Sequence, residues 1–437
     1  MKHLNLSRIL SIGLVVLLVT ASCSDHLVPS FQYPAVADAV NPGTVVPAVL
    51  FETNGVKVFN GGFGSAIAAD PRDPTVFYLL TDRGPNIDGN VTNSKVFAQP
   101  DFAPQIGKFR LKNGQMVLES IIELKNSSGG KLNGLPNPVN QGGTGEIAFD
   151  LAGKTLPAST DGLDSEGLVV ASDGTFWVSD EYGPHIVHFD ATGRTVERIN
   201  PFGTGTGGRR MPLVFARRRA NRGMEGLTIT PDGKTLVGIM QFPLYNPSQA
   251  AITGSLVTRI LTFDIATGAT KQYAYLIERA NLQANSEITA ITNTTFLVLE
   301  RDGEFGTTAN AGTLFKRIYK IDLAGATDIS DPADGIGGKL YGGKTVEELK
   351  TEAALLANGI VPVKKTLAFD MATELSPVYP HDKAEGLALL SPTLLAIAND
   401  DDFGVVGVGN YAAKILPATN TIDMNRVYFV TLKTPVK

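Results

Sequence analysis

From about residue 44 onward, apolar positions come in short runs closed by glycine, proline, asparagine or aspartate. The clearest are Thr75 to Leu80, Leu168 to Ala171, Thr175 to Val178, Leu227 to Thr230, Thr235 to Met240, Phe296 to Leu299 and Leu394 to Ala398. Runs this short, bounded by turn residues, predict strands. Helical spacing is nearly absent outside one stretch, Thr345 to Leu356. The pattern predicts an all-β fold.

The runs recur as a phrase. A carboxylate enters one apolar run, a polar turn reverses it, and the second run ends in polar or acidic residues. Asp164-Ser165-Glu166-Gly167-Leu168 leads in this way to Ser179-Asp180-Glu181-Tyr182, and Met224-Glu225-Gly226-Leu227 leads to Gln241. Ser286-Glu287-Ile288 leads to Glu300-Arg301-Asp302, and Ala384-Glu385-Gly386-Leu387 to Asp400-Asp401-Asp402. A weaker first copy, without the glutamate, runs from Gly64 to Asp82-Arg83-Gly84-Pro85. A second phrase follows: a strand ending in Asp190, Asp264 or Asp322, then Gly193, Gly268 or Gly325. Aspartate and glycine supply the hydrogen bond and the positive φ of a turn.

Two such hairpins make a four-stranded antiparallel sheet, and sheets repeated along a chain predict a β-propeller. The glutamates lie 59, 62 and 98 residues apart. The last gap is too long for one sheet, and its glycine-rich loop (334–343) and helical stretch are read as an insertion. Residues 101–160 are similarly swollen. The count is five or six blades, with six preferred, and loop and short helical insertions between them. A β-sandwich would not explain why one carboxylate phrase recurs.

Composition narrows the class. The 437 residues are 43% hydrophobic, with 46 glycines and 25 prolines, as in a loop-rich globular chain. The formal charge is −5, which disfavours a nucleic-acid partner. Residues 1–22, with Lys2 and Arg8 before an apolar run and small residues at its end, predict an export signal. Cys23 is the single cysteine, so no internal disulfide is available. Its place after Ala21-Ser22 predicts lipidation and a membrane anchor, with ordinary signal cleavage as the alternative. Residues 23–43 read as a tether, and 44–437 as the domain.

In a propeller, equivalent positions of the innermost strands face one axis. Glu166, Glu225, Glu287 and Glu385 are therefore expected to converge there, and carboxylates that close repel unless a cation neutralises them. An oxygen-only set suits Ca²⁺, with Asp180 and Asp400 as further ligands. Alternatively, each glutamate bonds backbone N–H groups or an arginine. Glu181 and Asp302 close their strands and are candidate bases, beside Arg301 and the turn histidine His185. Arg222, three residues before Glu225, and Arg83 are candidates to hold an anion, with Asp82 and Tyr182 beside them. Zinc is disfavoured by one cysteine and five unpaired histidines. Neither a serine-hydrolase elbow nor a phosphate loop is present.

The phrases Asp82-Arg83-Gly84-Pro85-Asn86, Asp164 to Leu168, Ser179 to Pro184, Asn221 to Leu227, Glu300-Arg301-Asp302 and Lys383 to Leu387 together resemble the family described as esterase-like activity of phytase, over roughly residues 45–432. The resemblance implies a propeller and an exported protein. The function expected is a metal-dependent hydrolase of small anionic phosphate or carboxylate esters at the channel mouth. A lactonase-type propeller, or a non-catalytic binding propeller with a structural cation, remains open.

Overall fold

A computed structural model of the chain describes residues 31–40, 48–280 and 283–436. Cys23 and the predicted export signal lie outside the described residues. Five four-stranded blades stand around an axis. Blade 1 comprises Ala66–Ala69, Val76–Leu80, Gln105–Lys112 and Gln115–Glu123. Blade 2 comprises Ser165–Val170, Phe176–Asp180, His185–Phe189 and Thr195–Ile199. Met224–Ile229, Thr235–Met240, Val257–Asp264 and Thr270–Leu276 form blade 3. Ala284–Ala290, Thr295–Arg301, Lys316–Asp322 and Lys364–Asp370 form blade 4. Blade 5 joins Gly386–Ser391, Leu394–Ala398 and Arg426–Thr431 to Val36–Val40.

The innermost strands contact one another in ring order, blade 5 returning to blade 1. Each interface holds its own apolar cluster. Along the second strand of blade 3, Leu236 and Met240 pack towards blade 2, while Val237 and Ile239 pack towards blade 4. Both faces of the strand are buried, so the sequence shows an unbroken apolar run instead of alternation. Glycine after the glutamate lets neighbouring inner strands approach. A Cβ on Gly226 would lie 2.6 Å from Ile288 N, and one on Gly167 would lie 2.5 Å from Leu227 N.

Two expectations need correction. Among the described residues there are four separate four-stranded sheets and one eight-stranded sheet, the latter made of blades 5 and 1 joined where Ala39 and Val40 pair with Met116 and Val117; five of these four-stranded units are blades, and one further sheet is not. The sixth, Asn86–Asp88, Ser94–Phe97, Ile147–Phe149 and Thr155–Leu156, contains a parallel pair. It packs on its own cluster, with Val58, Ile87, Val96, Phe102, Phe403, Val405 and Tyr411. The swollen 101–160 stretch looked like a blade because it combines the outer half of blade 1 with part of this insertion. The proposed tether also ends earlier than residue 43. Val36 to Asp38 pair antiparallel with Arg426 to Tyr428 and complete blade 5. Tyr33 already packs on Phe429.

The 98-residue gap resolves as an insertion between the third and fourth strands of blade 4. It carries helices Val346–Leu349 and Glu352–Ala357, the first opened by a capping box at Thr345. Buried Glu347 pairs with buried Arg259 of blade 3 at 2.6 Å, fastening the insertion to the ring.

Candidate functional site

The recurring glutamates sit where the innermost strands are irregular. In blade 2, Glu166 and Gly167 oppose the single residue Ser179, between the pairs Ser165 with Asp180 and Leu168 with Val178. In blade 3, Glu225 is the extra residue between Met224 and Gly226. Such bulges re-aim a side chain out of the pleat. Here they direct Glu166 and Glu225 into a cavity of about 390 Å³ at one end of the ring.

Asp82, Arg83, Glu166, Glu181, Arg222, Glu225, Arg301, Asp302 and Glu385 all line this cavity, although they come from all five blades and their connections. Asp164 joins them. Asp164, Glu166 and Glu181 are buried, and each offers one carboxylate oxygen within 4.8 Å of the others. Asp164 Oδ2 has no hydrogen-bond partner, and Arg83 Nη1 stands 3.4 Å away. Glu181 Oε1 and Glu225 Oε2 are also buried without partners. Burial first, then Glu225, Asp164 and Glu181, pushes the Glu166 carboxyl well above its ordinary range. Burial raises Asp164 to about 7 against the opposing pull of Arg83. Burial, then Glu181 and Glu385, raises Glu225 as well.

This group differs from a set of acids in blades 4 and 5 that have lysine partners. Asp400 and Asp402 pair with Lys383 at 2.7 and 2.6 Å. Asp402 and Asp382 pair with Lys414 at 2.7 and 2.8 Å. Asp302 pairs with Lys316 at 2.8 Å. Those acids carry their own cations, whereas among Asp164, Glu166 and Glu181 only Asp164 has an ion pair, with Arg83 at 3.4 Å. Buried oxygens in excess of internal donors, with no nitrogen or sulfur among them, fit a hard cation such as Ca²⁺.

The arginines divide by their partners. Arg83 is locked, bonding Tyr182 Oη at 3.0 Å and Glu146 at 3.1 Å. Arg301 pairs with Glu385 and donates to Ser286 Oγ at 3.1 Å. Arg222 donates to its neighbour's carbonyl, on Asn221, and lies over the Phe242 ring at 5.6 Å. Among the described residues it has no carboxylate partner.

Several predicted residues do not reach the cavity. His185 is fully buried, its Nδ1 2.6 Å from Asp180. Burial first, then Arg198, lowers its pKa to about 4, opposing Asp180. Asp180 accepts the backbone N–H of Asp164 at 2.7 Å and of Gly183 at 2.8 Å, so it organises the turn instead of offering free oxygens. Tyr182 donates to Gly134 O at 2.8 Å and supports Arg83 from behind. Asp400 is turned to Lys383. Glu287 Oε1 accepts the N–H groups of Leu227 at 3.0 Å and Ile288 at 2.9 Å, binding blade 3 to blade 4.

Sequence reasoning passed over Asp164, Gln241 and Lys383 as lining residues, while Asp402, one of the closing acids, does line the cavity. Two carried a signal. Asp164 opens the phrase that contains Glu166, and Gln241 follows the second strand of blade 3 as Glu181 follows that of blade 2. Gln241 Nε2 donates to Glu225 Oε1 at 2.5 Å.

The ring and its mouth define the class: a five-bladed propeller with a carboxylate-lined cavity at one end of its axis. Residues 59–403 match the phytase-like family described as esterase-like activity of phytase, and the chain belongs to that family. An uncharacterized secreted protein of Arthroderma benhamiae is 29% identical over 382 residues, 72% of each chain. Among solved structures, a Pseudomonas aeruginosa periplasmic gluconolactonase is 9% identical with a TM-score of 0.31, covering 86% of this chain and 90% of its own. Regucalcin from Agrobacterium tumefaciens, described as a calcium-binding protein, is 11% identical with a TM-score of 0.34, covering 91% of this chain and 97% of its own.

Proposed function

We propose that the protein is an exported, metal-dependent hydrolase of phosphate or carboxylate esters, acting at the mouth of the propeller channel. One observation carries the reading: three buried carboxylates, Asp164, Glu166 and Glu181, converge, and Asp164 Oδ2 and Glu181 Oε1 have no hydrogen-bond partner, in the cavity that also holds Arg222, which has no carboxylate partner among the described residues. Family membership and a relative described as secreted support it.

Asp164, Glu166 and Glu181 would hold a divalent cation, Ca²⁺ by the all-oxygen donor set. A cation held there would supply Lewis-acid polarisation of the ester oxygen. Arg222 grips the anionic oxygens of the substrate and fixes its orientation. As water adds to the ester centre and the bond to the alcohol breaks, Glu225, whose carboxyl burial and then Glu181 raise, gives a proton to the departing alcohol and takes one back from the added water. Arg83 and Asp180 hold the ligand strand in register from outside the reaction. Lipidation of Cys23 would keep this site beside a membrane.

A panel of aryl phosphate, aryl acetate and lactone substrates, assayed with Ca²⁺ and with chelator, tests the proposal. Calcium-dependent turnover of phosphate or acetate esters is expected. Turnover confined to lactones supports a lactonase, and no turnover of any class would leave a binding propeller.

A further inference from the structure

We infer that the cleft carries an apolar subsite beside its ionic one, formed by Val406, Val408 and Val91, so that the ester it accepts has an apolar alcohol as leaving group. This rests on the hydrolase reading for calling the occupant a substrate; the subsite itself is argued from the shape of the cleft.

The cavity continues past Asp88, Lys95, Asn221 and Arg222, which also line a neighbouring recess of about 500 Å³. Its cations are not equivalent. Lys95 is paired with Asp88 at 2.6 Å. Arg219 and Arg222 have no carboxylate partner among the described residues, and both lie over Phe242, at 5.0 and 5.6 Å.

The facing edge carries three exposed valines among polar turn residues. It is made of two turns stitched together, with Asp88 N–H donating to Gly407 O at 3.1 Å and Gly409 N–H to Asp88 O at 2.7 Å. Val406 and Val408 on one turn are 52% and 63% exposed, and Val91 on the other is 51% exposed. Single exposed valines need no explanation, but three on joined turns at the edge of a cleft form a patch. The patch is backed by Ile87 and Val405, both buried in the cluster that includes Phe102, Phe403 and Tyr411. The edge is therefore held in place before anything binds. A ligand with an anionic head at Arg222 and a hydrocarbon arm across the valines satisfies both sides, whereas a small, wholly polar ester leaves the valines wet.

Calorimetry with a series of n-alkylphosphonates, ethyl to octyl, tests this on the Ca²⁺-loaded protein. Affinity is expected to rise about twofold per added methylene, half the effect of full burial, until the chain outgrows the recess. Val406→Ser with Val408→Ser should flatten that slope and leave ethylphosphonate affinity unaltered. A flat series in the unmodified protein overturns the inference. Turnover of the matching alkyl phosphates is read separately: a chain-length slope in binding without turnover contradicts the hydrolase reading and leaves the subsite standing.

Discussion

Asp180 accepts the backbone N–H of Asp164 through Oδ1 at 2.7 Å, so a carboxylate outside the cavity fixes the position of one inside it. Its other oxygen serves Gly183 and His185, and no part of the side chain is exposed. Asp180→Ala leaves two backbone donors and a histidine without an acceptor. A loss of about 3 kcal/mol or more in unfolding free energy is expected, read by chemical denaturation, together with weaker calcium binding. A variant as stable as the parent would show that Asp180 does not organise this turn.

The raised carboxyls give the metal-free protein an inverted pH dependence. Asp164 rises from 3.8 to about 7, and Glu166 and Glu225 are raised well above 4.5. The native state then holds more protons than the unfolded chain, so stability is full below the unfolded values and falls as pH rises through the native ones. Melting in chelator is expected to be lower at about pH 8 than at about pH 5. Saturating Ca²⁺ should remove that difference, since the ion neutralises the same oxygens.

How much of this was legible in the sequence depends on what repetition reports. Repetition marked the inner strands, because each blade needs the same close approach at positions such as Gly167 and Gly226. It did not report side-chain direction. In blade 3 the extra residue of the bulge is Glu225, whereas in blade 4 it is Ser286, and Glu287 stays in register opposite Leu299. A shift of one position turns a side chain to the other face, so Glu287 meets the backbone of blade 3 while Glu225 meets the cavity. His185 failed for a different reason: Asp180, five residues earlier, closes the turn over it. The lysines that neutralise Asp400 and Asp402 come from separate segments that no local pattern joins.

Arg222 separates phosphate from lactone chemistry. With no ion pair to lose, Arg222→Ala should leave the melting temperature nearly unchanged. If the substrate is a phosphate ester, kcat/KM is expected to fall roughly 10²-fold, while lactone turnover, if any, is retained. Parallel assays on both substrates and a melting curve check this, and an unaltered ratio removes Arg222 from substrate binding.

Gly226 tests the spacing of the blades. A Cβ there would fall 2.7 Å from Glu287 Cα and 2.6 Å from Ile288 N, both backbone atoms that cannot swing aside. Gly226→Ala is expected to cost about 1–3 kcal/mol through overpacking, measured by denaturant unfolding. Gly233→Ala, at an open turn with φ of +71°, should cost about 1 kcal/mol through backbone strain alone, and serves as the comparison.

The central claim is that a cation held by Asp164, Glu166 and Glu181 supports ester hydrolysis. A calcium titration of aryl phosphate turnover, run on the parent protein, Glu166→Gln and Glu287→Gln, tests it most directly. Saturable activation is expected for the parent and for Glu287→Gln, whose amide oxygen still accepts the two backbone N–H groups, with loss of activation in Glu166→Gln. Turnover by chelated parent protein equal to that in calcium, or equal activation of all three, would contradict the account.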